Sequence, residues 1–190
     1  MTYEIIVVGT SMGGLQALEV LLSGLPAGFS VPVAIAQHRH KDSDNSLSDF
    51  LQQVCVLPLK EAEDKEEIVP GYVYLAPADY HLLVENSSFS LSTEAPVSYA
   101  RPSIDVLFES AADAYAAKAI GVILTGASND GAQGLAAIAA AGGVTVVQEP
   151  TTAYSRTMPT AAIAAVKADR ILSLPEIAPC LVNLCCPVLT

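Results

Sequence analysis

The stretch Glu4–Gly14, EIIVVGTSMGG, limits what this chain can fold into more than any other. Four consecutive β-branched residues, Ile5 to Val8, leave no polar position to face water. A strand of that kind is buried on both faces. A glycine-rich turn follows at once. Leu15, Leu18, Leu21 and Leu22 then recur at helical spacing until Gly24 and Pro26 end the pattern. A doubly buried strand feeding straight into a helix is the first half of a βαβ unit, which requires a parallel sheet with helices on both faces.

The alternation continues along the chain. Strands are expected at Pro32–Ala36, Tyr72–Ala76, Ile120–Leu124, Val144–Val147 and Arg170–Leu172. Helices are expected at Asn45–Val54 (capped near Asp44 or Asn45), Ser103–Ala117, Gly131–Ala141, around Thr160–Val166, and from Pro175 onward. His81–Glu85 and Phe89–Ser92 flank Asn86-Ser87-Ser88 and read as a hairpin. The charged segment Glu61–Glu67 reads as a solvated loop. The expectation is one α/β domain over residues 1–190: a three-layer α/β/α sandwich with a mostly parallel, doubly wound sheet and a β-hairpin.

Composition narrows the function. At 52% hydrophobic and 15% charged residues, the chain is too apolar to stay disordered. A net charge of −11 argues against a nucleic-acid partner. No apolar run reaches the ~20 residues of a membrane span, so no membrane insertion is expected. No basic segment precedes the first apolar run, so the sequence reads as cytoplasmic. Cys55, Cys180, Cys185 and Cys186 form neither a C-x-x-C pair nor a zinc spacing, and are read as reduced thiols with no metal role.

In an open α/β sheet, chemistry sits beyond the carboxyl ends of the strands. Three such ends stand out. The first strand runs into Gly9-Thr10-Ser11-Met12-Gly13-Gly14, the second into Gln37-His38-Arg39-His40, and the Ile120–Leu124 strand into Thr125-Gly126-Ala127-Ser128-Asn129-Asp130-Gly131. A hydroxyl, an imidazole and a carboxylate therefore share one rim, which is the inventory of a serine-nucleophile triad: Ser11, His38 and Asp130. Ser11 lies in a G-x-S-x-G turn between strand and helix, where glycines lift the hydroxyl clear of the sheet. The backbone N–H groups of Met12 and of Ala127, Ser128 and Asn129 are candidates for an oxyanion site. Each feature also has a plain structural reading: Ser11 and Asp130 as helix caps, His38 as a core histidine. A nucleotide-binding loop is the rival for the glycine turn. Ser11 occupies the middle glycine of that fingerprint, no acidic residue ends the second strand, and no Walker lysine is present. His40 and His81 are less well placed. Arg39, Arg101 and Arg156 lie in loops expected near the rim, where cations could steer an acidic substrate.

These residues resemble a known family. The blocks around Ser11 and His38, the run Arg101-Pro102-Ser103-Ile104-Asp105-Val106-Leu107-Phe108, and Thr125–Ala132 are similar to the catalytic domain of the chemotaxis protein-glutamate methylesterases (CheB). Pro70-Gly71-x-x-Tyr74-x-Ala76-Pro77, His81-Leu82, Ala141-Gly142-Gly143 and Met158-Pro159 match as well, in order along the chain. The resemblance implies a hydrolase that removes methyl groups from glutamyl methyl esters of methyl-accepting chemoreceptor cytoplasmic domains, and that deamidates receptor glutamines. It implies two-component signal transduction, no cofactor, and Ser11, His38 and Asp130 as nucleophile, base and orienting acid, with Met158 among the residues near substrate. Typical members also carry a receiver domain. The sequence begins at the catalytic domain, so control by a separate regulatory protein is the expectation. Met12, Ala127, Arg39-His40 and Thr157 depart from the family pattern. They motivate an alternative reading: a non-catalytic binding or scaffold module on the same fold.

Overall fold

The computed structural model describes residues 2–44 and 46–186. Its elements run β1 (Ile5–Thr10), α1 (Gly14–Ser23), β2 (Val33–Gln37), α2 (Ser46–Val54), β3 (Leu59–Glu61), β4 (Val73–Leu75), β5 (His81–Val84), β6 (Phe89–Ser92), α3 (Ile104–Tyr115), β7 (Ala119–Ile123), α4 (Ala132–Ala140), β8 (Val144–Gln148), α5 (Thr157–Ala165), β9 (Arg170–Leu172) and α6 (Leu174–Cys185). Seven strands form one sheet in the order β3-β4-β2-β1-β7-β8-β9, every pair parallel. β5 and β6 pair antiparallel as a separate hairpin. The α/β/α sandwich with a hairpin expected from the sequence is the fold observed.

The sheet divides two cores. Ile6, Val8, Val33 and Ile35 face Leu18 and Leu22 of α1, Leu51 of α2, and Ile177 and Leu181 of α6. Ile5, Val7, Ala34 and Ala36 face Ile104 and Phe108 of α3, Leu135 of α4, Ala162 of α5, and Phe89 of the hairpin. All four residues from Ile5 to Val8 are fully buried. Alternate residues serve opposite cores, which is why the run contains no polar position. Truncating any one of them to Ala would cost about 2–5 kcal/mol.

Strand order reverses around β1. The chain passes from β1 to β2, out to the edge at β3 and back to β4 between them, then crosses to the other side of β1 as β7. The carboxyl ends of β1, β2 and β7 therefore meet at the switch point where such sheets open a crevice.

Apart from end shifts of one or two residues, two elements differ from the sequence reading. Leu59–Glu61 forms an edge strand paired with Val73–Leu75, so Glu61 ends a strand instead of opening a loop. Three residues are too few to show a period. α5 begins at Thr157, before Pro159, because a proline in the first helical turn lacks only an N–H that has no intrahelical acceptor there. Asn45, one of the two caps expected for α2, lies outside the described residues. Asp44 accepts a hydrogen bond from the Ser46 N–H at 3.0 Å.

Candidate active site

β1 and β2 are in register with Thr10 opposite Gln37, so Ser11 and His38 are the first residues beyond the paired ends. Backbone bonds fix both. His38 N–H donates to Thr10 O at 3.1 Å, and Ser11 N–H donates to Thr125 O at 3.0 Å. Gln37 adds a clasp. Its Nε2 donates to Ser11 O at 3.0 Å and to His38 O at 2.8 Å. One buried amide thus ties the main chains of the hydroxyl and imidazole residues together. On the other side, Thr10 Oγ1 donates to Thr125 O at 2.9 Å, and Thr125 Oγ1 donates to Met12 O at 2.8 Å.

The turn that carries Ser11 has Gly13 at φ 79°, a left-handed conformation available to glycine without strain, and α1 starts at the next residue. Among the described residues, the N–H groups of Met12, Ala127, Ser128 and Asn129 have no hydrogen-bond acceptor. They remain open to an anionic oxygen.

Asp130 is 1% exposed, and both its oxygens are doubly engaged. Oδ2 accepts from His38 Nε2 at 2.7 Å and from Ile104 N–H at 2.7 Å. Oδ1 accepts from Ser103 Oγ at 2.9 Å and from Asp105 N–H at 3.0 Å. The carboxylate therefore sits on the N-terminus of α3, where unpaired N–H groups and the helix dipole favour negative charge. Burial works to raise its pKa. The His38 hydrogen bond and the N–H groups of Asp105 and Ile104 outweigh burial and hold the carboxyl below its ordinary value. With Nε2–H directed at Asp130, Nδ1 is the nitrogen left to take a proton. The Ser11 hydroxyl makes no hydrogen bond among the described residues, so the serine–imidazole contact is open in this arrangement.

The imidazole forms one wall of a cleft of about 400 Å³, shared with Arg39, Asp79, Tyr99, Arg101 and Pro102. The charged residues expected at the rim have different fates. Arg39 turns inward and donates to Glu61 at 2.5 Å and to Ala76 O at 2.8 Å. Arg101 grips Asp79 Oδ1 at 2.6 Å, and the carbonyls of Thr93 and Glu94 at 2.8 and 2.9 Å. Arg156 is exposed at the start of α5. Met158 is buried beneath Gly126, so close that a Cβ on that glycine would lie 1.9 Å from its sulfur and 2.9 Å from Ser11 Cβ. It is packed under the loop rather than open to the cleft.

Several residues around the site were given no role in the sequence reading. Gln37 stood there only beside His38 at a strand end, and Ser103 and Asp105 only within the family-like block at a helix start. His81, set aside from the sequence, is buried. Its Nδ1 accepts from Ser103 N–H at 3.1 Å, and its Nε2 donates to Ala95 O at 3.1 Å. Through Ser103 it supports the cap that Asp130 completes.

Residues 6–181 match the family model described as CheB methylesterase. A candidate protein-glutamate methylesterase/protein-glutamine glutaminase of Leptospira interrogans is 49% identical over 185 residues, which cover 97% of this chain and 96% of that protein. The protein-glutamate methylesterase/protein-glutamine glutaminase of Paraburkholderia xenovorans is 42% identical over 179 residues, covering 92% of this chain but 49% of that protein. The crystal structure of the Thermotoga maritima CheB methylesterase catalytic domain superposes with a TM-score of 0.91 at 34% identity, covering 97% of this chain and all of that one. A match of this extent in sequence and in backbone leaves one assignment: the chain belongs to the CheB methylesterase family.

Proposed function

We propose that this chain is a protein-glutamate methylesterase that hydrolyses glutamyl methyl esters on the cytoplasmic domain of methyl-accepting chemoreceptors and deamidates receptor glutamines, using Ser11, His38 and Asp130 as its triad. The reaction takes place in the cytoplasm, on the receptor's cytoplasmic domain. The observation that carries the reading is the 2.7 Å bond from His38 Nε2 to a carboxylate held on a helix N-terminus, beside a serine at the neighbouring strand end.

Nδ1 of His38 accepts the Ser11 proton as Oγ attacks the ester carbonyl. The carbonyl oxygen becomes an oxyanion facing the unpaired N–H groups of Met12 and the Ala127–Asn129 loop. Asp130, kept ionised, stabilises the imidazolium through Nε2–H. The C–O bond breaks, the imidazolium protonates the departing methoxide, and methanol leaves. Water then attacks the acyl-enzyme by the same route and restores the Ser11 hydroxyl. An amide substrate follows the same steps, with ammonia as the leaving group.

The test is methanol release from methylated receptor fragments. Ser11→Ala and His38→Ala should each abolish most of it, and the double variant should be scarcely worse, because triad members act as a unit. Losses that multiply would mean that the two residues contribute independently, and the triad reading fails. A second reading, a non-catalytic binding module, is favoured by the unmade Ser11–His38 bond and by Met12 at the serine's flank. An activated-serine reagent separates the two, since only a triad serine labels rapidly and in a manner lost with His38→Ala.

A further inference from the structure

Two buried carboxylates stand side by side at this site, and each caps the other's helix. Asp130, at the entry to α4, accepts the N–H groups of Ile104 and Asp105 in the first turn of α3. Asp105, in that first turn, accepts Gly131 N–H at 2.9 Å and Gly134 N–H at 2.7 Å from the start of α4 through one oxygen, Oδ1. The exchange fixes Gly131, the residue next to Asp130, and so fixes where Oδ2 of Asp130 is presented to His38. We propose that Asp105 is a positioning residue for the triad, and that its charge helps set the pH range in which His38 acts as a base. This rests on the triad reading of Ser11, His38 and Asp130.

Electrostatics agrees with the geometry. Burial pushes the Asp105 carboxyl up, and the negative charge of Asp130 adds to it against the N–H groups of Gly134 and Gly131, taking it to about 6. Asp105 is 7% exposed. The groups that bear on the pair are few. Asp105 faces the Asp130 carboxylate and the α4 N–H groups, and Ser103 and His81 lie on the hairpin side of the cap. His38 faces Asp130, with Arg39, His40 and Lys41 on its own loop and Asp79 and Arg101 across the cleft. Arg39 is committed to Glu61, and Arg101 to Asp79. When Asp105 is ionised, its charge adds to that of Asp130 and favours the imidazolium. When it is protonated, that support is lost, and its hydroxyl donates to Asp130, which then holds His38 less strongly.

Asp105→Asn freezes the protonated form. The amide oxygen can still cap Gly131 and Gly134, and the amide nitrogen can donate to Asp130. On a small uncharged ester, the acidic limb of the kcat/KM profile should move to lower pH by about half to one unit. Asp105→Glu, which keeps the charge, should leave the limb near its wild-type position. An Asp105→Asn limb that superposes on wild type, with only a lowered Tm, would reduce Asp105 to a helix cap and overturn the proposal. Carbon-13 NMR of the Asp105 carboxyl in the unmodified protein needs neither a variant nor turnover. A midpoint near 6 is expected, and one well above the acidic limb would leave Asp105 uncharged where His38 acts as a base and refute the pH role. Loss of Ser11 labelling in the wild-type protein would instead strike the triad reading, leaving the carboxyl titration to be judged separately.

Discussion

Replacing Asp130 with Asn tests the centre of the site. Each carboxylate oxygen accepts two hydrogen bonds, and three of the four donors are N–H groups whose direction is fixed. An amide must put its NH₂ on one of those oxygen positions. At the Oδ2 position it faces the Ile104 N–H and forces His38 to accept through Nε2, leaving a proton on Nδ1 where a lone pair is required. At the Oδ1 position it faces the Asp105 N–H. Either way one buried donor loses its acceptor, at about 1–3 kcal/mol, and α3 loses the negative charge at its N-terminus, worth about 1 kcal/mol. The expected destabilisation is about 2–4 kcal/mol, and the expected loss in kcat is on the order of 10³–10⁴. The chain has no Trp, so urea unfolding is followed by far-UV circular dichroism. The stability difference should also depend on pH. The Asp130 carboxyl is held below its ordinary value, so its contribution is complete above about pH 4 and fades as pH falls through the lower folded value. The gap between wild type and variant should therefore narrow in acid. An unchanged urea midpoint together with an esterase rate within about tenfold of wild type would refute this account of Asp130.

Two further outcomes follow from the packing. Gly126→Ala sets a methyl group against Met158 and Ser11 Cβ, so labelling of Ser11 should slow by about a hundredfold and recover in part when Met158 is also made Ala; unimpaired labelling would mean that the loop yields without moving the serine. Arg101→Gln frees Asp79 and the carbonyls of Thr93 and Glu94, so activity should fall alike on a small ester and on a receptor fragment at any salt concentration, whereas a loss confined to the receptor and erased by added salt would assign Arg101 to electrostatic steering instead.

Much of this was legible in the sequence, for identifiable reasons. Ile5–Val8 and Ala119–Ile123 are buried on both faces, and such strands stand out as unbroken apolar runs. Gly9, Gly13 and Gly131 punctuate strand–helix turns, so the residues beside them, Ser11 and Asp130, could be set on one rim. What remained hidden is what the chain brings together from a distance. Nothing within Arg101–Phe108 says that Ser103 and Asp105 meet the loop before α4, and both read as ordinary helix-start residues. Gln37 looks like any polar end to a strand until β1 is paired beside it. The partners of the arginines were hidden for the same reason: a loop position reveals proximity to the rim but not the acid that pairs with the side chain, Glu61 for Arg39 and Asp79 for Arg101.

The central place of β1 has a consequence for how the protein is made. One edge of β1 pairs with β2, the next strand in the chain, but the other waits for β7; the Thr10–Thr125 bond alone spans 115 residues. As the chain leaves the ribosome, the apolar Ile5–Val8 strand stays open on that edge until most of the polypeptide has been synthesised. The serine and the histidine are by then already side by side, but the clamp on the serine turn and the carboxylate behind the imidazole arrive with the second half. A nascent or truncated chain is therefore exposed to aggregation on that edge while the proposed site is still incomplete.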